Sequence, residues 1–266
     1  MKKTKVIVLR AAGSNCDYET VHAFRKVGGE VDLIHINQII RKEKSLSSYH
    51  ILAIPGGFTY GDDISAGKIL ANELKYKVQD QLQNFYQQGK LIIGICNGFQ
   101  VLVKAGLLPE LNLETVDQKV TLTFNDSGKF EDRWVYLKRV NDSPCVFTQG
   151  IENLVYFPVA HSEGKFVPGG DGVLEELKRN HQIVFQYVDA EGKIAGYPWN
   201  PNGSIANIAG ICDPSGRVFG LMPHPERHFD PTNHPRWTRE GLKNEGDGVQ
   251  IFRNAIKYIE ENTVTP

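Results

Sequence analysis

No apolar run in this 266-residue chain approaches the roughly 20 residues needed to cross a bilayer. Charge is balanced: 30 Lys and Arg stand against 31 Asp and Glu, a net charge of −1. No global field therefore recruits nucleic acid or anionic membrane, and neither is expected as a partner. Cysteine is scarce, with Cys16, Cys96, Cys145 and Cys212 scattered and none in the C-x-x-C spacing of zinc or thioredoxin-like sites. Free thiols in a reducing compartment are expected. A G-K-[ST] sequence is missing, so no phosphate-binding P-loop is present. With no internal repeat and no low-complexity linker, one domain over 1–266 is expected. Met1-Lys2-Lys3-Thr4-Lys5 leads into a strand instead of a signal-peptide apolar region, which predicts a cytoplasmic protein.

The hydrophobic content of 41% and charged content of 23% suit a soluble enzyme with a sizeable core. Its focal stretch is Leu91 to Gln100, LIIGICNGFQ. Leu91, Ile92, Ile93 and Ile95 predict a parallel strand covered on both faces. Phe99, Val101, Leu102, Val103, Leu107 and Leu108 predict a helix that starts almost at once and ends before Pro109. Cys96 then occupies a strand-to-helix turn, with Gly94 and Gly98 making room for it, as G-x-S-x-G does in serine hydrolases. A thiol there projects from the carboxyl edge of the sheet, where open α/β proteins place ligands, and close to a helix N-terminus, which favours thiolate.

Upstream, Lys5 to Leu9 (strand), Glu19 to Val27 (helix) and Glu30 to Ile36 (strand) make a βαβ unit, which favours a parallel sheet. Cys16, in the loop after the first strand, reads as a small packed thiol. Tyr49 to Ile54 forms a strand that runs into Pro55-Gly56-Gly57-Phe58-Thr59-Tyr60-Gly61-Asp62-Asp63. Its adjacent glycines can expose backbone amides as an oxyanion nest. Ile64 to Gln88 is helical in pattern, with Gly89 as its stop signal.

Beyond Pro109 the texture turns β-rich: Val120 to Phe124, Trp134 to Val140, Val155 to Ala160 and Ile183 to Val188 are short strand-like runs. They either extend the sheet with antiparallel strands or form a β layer beside it. Val218 to Met222 is a buried strand that delivers Pro223-His224-Pro225-Glu226. The prolines are expected to keep this tetrapeptide extended, so that His224 and Glu226 share a side and the carboxylate orients the imidazole as a base. Phe229 to Gly248 reads as a long loop, with 230–246 a candidate contact surface. Gly248 to Glu261 predicts a final helix with Val249, Phe252, Ala255, Ile256 and Ile259 docked on the sheet.

A cysteine elbow, a histidine paired with a carboxylate and an amide nest together describe covalent acyl transfer. In these terms Cys96 is the nucleophile, His224 the base, Glu226 its orienter, and the amides of Gly57 and Asn97 the oxyanion hole. The order Cys, His, Glu is judged by roles and not by position.

GICNGFQ, PGGFTYGD and PHPE resemble the nucleophile, oxyanion and His-Glu motifs of class I (triad-type) glutamine amidotransferases. The segments GSNCD (Gly13 to Asp17), NDSGKFE (Asn125 to Glu131), Arg133-Trp134, PVAHSEG (Pro158 to Gly164) and YPWNPNGS (Tyr197 to Ser204) are similar to the glutaminase subunits of phosphoribosylformylglycinamidine synthases. The resemblance spans residues 5 to 228. It implies an α/β, three-layer flavodoxin-like fold, with a mostly parallel central sheet flanked by helices and an additional antiparallel β portion. It also implies L-glutamine as substrate and ammonia passed to a large ATP-dependent synthetase in purine biosynthesis, aided by a small coupling subunit. ATP and Mg are expected on the synthetase and no cofactor on this chain.

By the same resemblance Gln100 contacts glutamine, Gly56 and Phe58 line its side chain, and His161 and Glu163 bind its ammonium or the partner. Lys68, Ser65 and the 230–246 segment depart from compact members and mark candidate partner contacts. A metal is not expected: His224, Glu226, His228, Asp230 and His234 cluster in sequence, but Pro223, Pro225, Pro231 and Pro235 break the helical spacing of paired histidine ligands. The alternatives are a glutaminase for a different synthetase, a flavodoxin-like cysteine hydrolase or chaperone, and a non-catalytic scaffold.

Overall fold

The computed structural model describes residues 3–113 and 118–262; Met1 and Lys2 of the amino-terminal lead lie outside them. The strands are β1 (Lys5–Arg10), β2 (Glu30–His35), β3 (Ile51–Ile54), β4 (Leu91–Ile95), β5 (Val120–Thr123), β6 (Glu131–Arg139), β7 (Leu154–His161), β8 (Lys165–Pro168), β9 (Ile183–Val188), β10 (Ile208–Cys212) and β11 (Val218–Leu221). The helices are α1 (Asp17–Lys26), α2 (Ile36–Ile40), α3 (Lys68–Lys77), α4 (Gln79–Gln87), α5 (Asn97–Ala105), α6 (Asp171–Arg179), α7 (Trp237–Glu240) and α8 (Val249–Asn262).

Nine strands form one sheet in the order β2-β1-β3-β4-β11-β10-β9-β6-β7. From β2 to β11 every pairing is parallel. From β11 to β7 every pairing is antiparallel. The β-rich second half thus extends the sheet, and it also adds a separate two-stranded piece, β5 with β8.

Every residue of β3, β4 and β11 is buried, which requires cover on both faces. The sheet order places β1→β2 and β3→β4 as crossovers in opposite directions, and their right-handedness puts the connecting helices on opposite faces. On one face α1 meets α8, with Phe24 edge-on to Phe252 at 5.0 Å. On the other, α3 packs beside α5.

Two expectations change. The 64–88 segment is two helices, because left-handed Ile64 (φ 71°) and Gly67 (φ 74°) delay the start to Lys68 and the chain kinks at Val78 between α3 and α4. The loop after Phe229 contains a one-turn 3-10 helix, Pro231–Asn233, and α7. It folds onto the outer strands, where the Arg236 guanidinium lies 5.5 Å from the Tyr156 ring and donates to the Tyr136 hydroxyl at 3.0 Å. α8 buries its predicted apolar residues on the face it shares with α1 and also packs on the Val146–Thr148 turn, where Asn254 donates to the carbonyls of Phe147 and Gln149.

Candidate active site

β4 ends at Ile95 and α5 begins at Asn97, so Cys96 alone makes the turn. Its φ of 52° and ψ of −109° are strained for an L-residue, at a cost of order 1–3 kcal/mol. The bend is possible because nothing protrudes at the two flanking glycines. A Cβ on Gly98 would stand 1.9 Å from the Ile54 carbonyl oxygen, and one on Gly94 would stand 2.5 Å from the Gly98 carbonyl oxygen.

The parallel pairing of β11 with β4 sets Leu221 opposite Ile95, which carries the segment after β11 to the same sheet edge as Cys96. His224 donates its backbone amide to the Pro158 carbonyl at 2.9 Å, and its Nδ1 lies 2.7 Å from Glu226 Oε1. The tetrapeptide is not extended as expected: Pro225–His228 is a 3-10 turn with Pro225 at its start. Proline's fixed φ suits the first helical position, so Pro225 opens the turn that folds Glu226 back onto the imidazole. Burial disfavours a charged His224. The Glu226 charge and the thiols of Cys96 and Cys16 outweigh it and hold the imidazole well above its ordinary pKa. The Cys96 thiol donates to the Ala160 carbonyl at 3.7 Å.

The Gly-Gly loop is stitched to the loop after β1. Asn15 and Cys16 amides both donate to the Gly56 carbonyl at 3.3 and 3.2 Å, and Phe58 donates to Gly13 at 2.9 Å. The backbone amides of Gly57 and Asn97 have no acceptor among the described residues. The Asn97 side chain locks the first turn of α5: its oxygen accepts from the Thr59 hydroxyl at 2.6 Å, and its nitrogen donates to Asp62 at 3.1 Å and Gln100 at 2.9 Å.

Phe58 is half-exposed and lies 6.2 Å from the Phe130 ring. Three residues assigned to ligand by resemblance also have partners within the chain. Gln100 donates to the Glu163 carbonyl at 2.6 Å while accepting from Asn97, so it ties α5 to the turn after β7. The Glu163 carboxylate accepts from the Ala66 amide at 3.3 Å and stands 3.8 Å from Lys104 Nζ. His161 is buried, with one ring nitrogen 3.1 Å from Asn125 and the other 3.5 Å from Asn202. Burial, then the nearby His224 charge, pulls its pKa down to about 3, so it is neutral and frames the site.

The cluster read in sequence at 224–234 splits: His224 stays with Glu226, and His228 lies beside His234 with ring centroids 5.6 Å apart. His228 faces the Tyr156 carbonyl at 2.7 Å, Asp230 pairs with His22 at 3.6 Å, and His234 pairs with Glu240 at 3.7 Å. Sequence reasoning instead missed Cys16. Its thiol, a donor to Asn15 at 3.2 Å, also lies against His224. A signal existed, because Cys16 and Cys96 each follow a buried strand and precede a helix, and in the sheet β3 alone separates β1 from β4 among the described residues.

Beside this site Asp62 is pushed up to about 6 by burial and then by the Glu163 charge. A carboxyl raised in the fold binds its proton more tightly there than in the unfolded chain, whose pKa is about 3.9. Stability from this group is therefore greatest at the acid end and falls as pH rises from about 4 to about 6. Asp62→Asn keeps an acceptor for Asn97 and is expected to be more stable than the parent by about 0.5–1 kcal/mol at about pH 8, the figure being discounted for partial exposure. Urea unfolding at about pH 4 and about pH 8 checks it; an equal gain at both would refute the assignment.

The CobB/CobQ-like glutamine amidotransferase domain matches residues 3–259. The subunit PurQ of phosphoribosylformylglycinamidine synthase from Dehalococcoides mccartyi is 50% identical over 262 residues, covering 98% of this chain and 100% of that protein. The chain belongs to the PurQ family of glutamine amidotransferases. PurQ from Methanococcus maripaludis is 45% identical, over 97% of this chain and 98% of its own. Among solved structures, that of PurLQS from Thermotoga maritima contains a chain 33% identical, with a TM-score of 0.73 over 97% of this chain and 100% of that one. Among the described residues no helix is long and apolar enough to cross a membrane.

Proposed function

We propose that this chain is the glutaminase subunit of a phosphoribosylformylglycinamidine synthase, working as one domain over 1–266 in the cytoplasm. The observation that carries the reading is the strained Cys96 elbow beside a buried, hydrogen-bonded His224–Glu226 pair, in a chain of the PurQ family. Cys96 gives its proton to His224, and the sulfur attacks the side-chain amide carbon of L-glutamine. The amides of Gly57 and Asn97 are the donors for the tetrahedral oxyanion. His224 returns the proton to the leaving nitrogen, and ammonia departs as the glutamyl thioester forms. Water, deprotonated by His224, then cleaves the thioester to glutamate and restores the thiol. Phe58, exposed at the lip of the site beside Gly56, packs against the substrate chain, while His161, Glu163 and Gln100 hold the walls.

The ammonia is consumed by a large synthetase that binds ATP and Mg and converts formylglycinamide ribonucleotide to the amidine, with a small third subunit coupling the two. The PurLQS structure of the Thermotoga relative supports such an assembly. Cys96 is only 4% exposed, so glutamine enters after a movement, and a partner is well placed to supply it. The isolated chain is expected to release ammonia from glutamine slowly and to speed up at least about tenfold on mixing with the synthetase and small subunit. The assembled complex should then form the amidine from glutamine. A complex that uses free ammonium but never glutamine would sink the proposal.

A further inference from the structure

Two thiols, and not one, meet at the imidazole. Cys16 Sγ, a ring nitrogen of His224 and a carboxylate oxygen of Glu226 all lie within 4.8 Å of one another, and all three residues are buried. Cys96 stands across Gly56 from them, and its charge acts on the same imidazole. Gly56 is the floor between them: a Cβ there would stand 2.7 Å from His224 Cε1, 3.4 Å from Cys16 Sγ and 3.4 Å from Cys96 Cβ. His224 Nε2 and Glu226 Oε2 are buried with no hydrogen-bond partner among the described residues, although buried polar atoms are normally paired.

We propose that Cys16, Cys96 and His224 Nε2 form a binding site for a thiophilic divalent ion of the zinc type, which holds the nucleophile inactive. Two sulfurs and an imidazole are the donors such an ion selects. The 2.7 Å contact of His224 Nδ1 with Glu226 is the carboxylate-to-histidine support that zinc-binding histidines use, and it leaves Nε2 as the ligating atom. Donors around a tetrahedral zinc stand about 3.5 Å apart, within reach of rotation of the cysteine side chains. On binding, Cys16 loses its thiol proton and the Cys96–His224 pair loses the one proton it shares, both to solvent; two S–Zn bonds and one Nε2–Zn bond form, so the doubly charged ion meets two thiolates and a neutral imidazole and the buried site gains no net charge.

The site itself is independent of the glutaminase reading; the inhibition rests on it. Zinc titrated into the full chain against a chromophoric chelator is expected to show one ion bound. The affinity should fall at least about tenfold in both Cys16→Ala and Cys16→Ser and stay unchanged in Cys212→Ala. Cobalt(II) should give a thiolate charge-transfer band of about half intensity in Cys16→Ser. Equal zinc affinity in parent and both Cys16 variants, or no binding by the parent, would overturn the site. In the assembled complex, zinc should suppress glutamine hydrolysis and the chelator should restore it, with Cys16→Ser at least about tenfold less sensitive. A complex that binds zinc but shows no glutamine hydrolysis with or without it would count against the glutaminase reading and leave the site standing.

Discussion

Cys96→Ala is expected to lower glutamine hydrolysis by about 10⁴-fold or more, the loss seen when a covalent nucleophile is removed from a triad. The substitution removes only the sulfur. The elbow, the His224–Glu226 contact and the amides of Gly57 and Asn97 stay, so the variant isolates the covalent step from binding and fold. Assembled with the synthetase and supplied with ammonium, it should still support amidine formation, which separates a lost nucleophile from a lost structure. A glutamine-like diazo-ketone should alkylate Cys96 and leave Cys145 and Cys212 unlabelled, both being completely buried in the core. Cys16 is the informative control: it shares the imidazole with Cys96 but caps α1 instead of sitting on the strained elbow. Hydrolysis within about tenfold of the parent, or label spread over all four thiols, would overturn the assignment of Cys96.

Gly98→Ala is expected to cost more than about 3 kcal/mol, or to prevent folding. The added carbon would sit 1.9 Å from the Ile54 carbonyl oxygen and 2.8 Å from its carbon. Both obstacles are backbone atoms of β3, so no side-chain rotation relieves the clash; α5 must move off the sheet. That movement pulls Asn97 away from Thr59 and opens the elbow, so stability and activity fall together. Gly172→Ala is the matched control, since a Cβ there would meet open space and the residue lies in the first turn of α6, where alanine is the better helix former. Thermal and urea unfolding of both variants decide the point. A Gly98→Ala protein within about 1 kcal/mol of the parent would show that the close approach of α5 to β3 is not required.

Much of this architecture follows from local pattern. The apolar runs at Val6 to Leu9, Ile51 to Ile54, Leu91 to Ile95 and Val218 to Leu221 became the parallel strands, because a strand buried on both faces must be apolar at consecutive positions. Cys96 came out at a strand-to-helix turn for the same reason: the end of such a run, two glycines and an immediate helical pattern leave one residue to bend. Elements with mixed patterns were harder. β8 is four residues long, β10 contains Gly210, and α6 has its apolar residues on a single narrow stripe, so none stood out from the surrounding Gly, Asn and Asp.

The motifs of the chain were enough to set its family, the place of Cys96 between a buried strand and a helix, and the pairing of His224 with Glu226, since each depends on residue types close together in sequence. Neighbourhoods that join distant segments depended on folding. His161, Gln100 and Glu163 carry ligand-like chemistry, yet packing satisfies their polar atoms from Asn125, Asn202, Asn97 and Lys104. A buried polar group must take whichever partner the fold brings to it. Cys16 shows the converse. Eighty positions separate it from Cys96 in the chain, and only the sheet order β1-β3-β4 sets its thiol against the imidazole that Cys96 also meets.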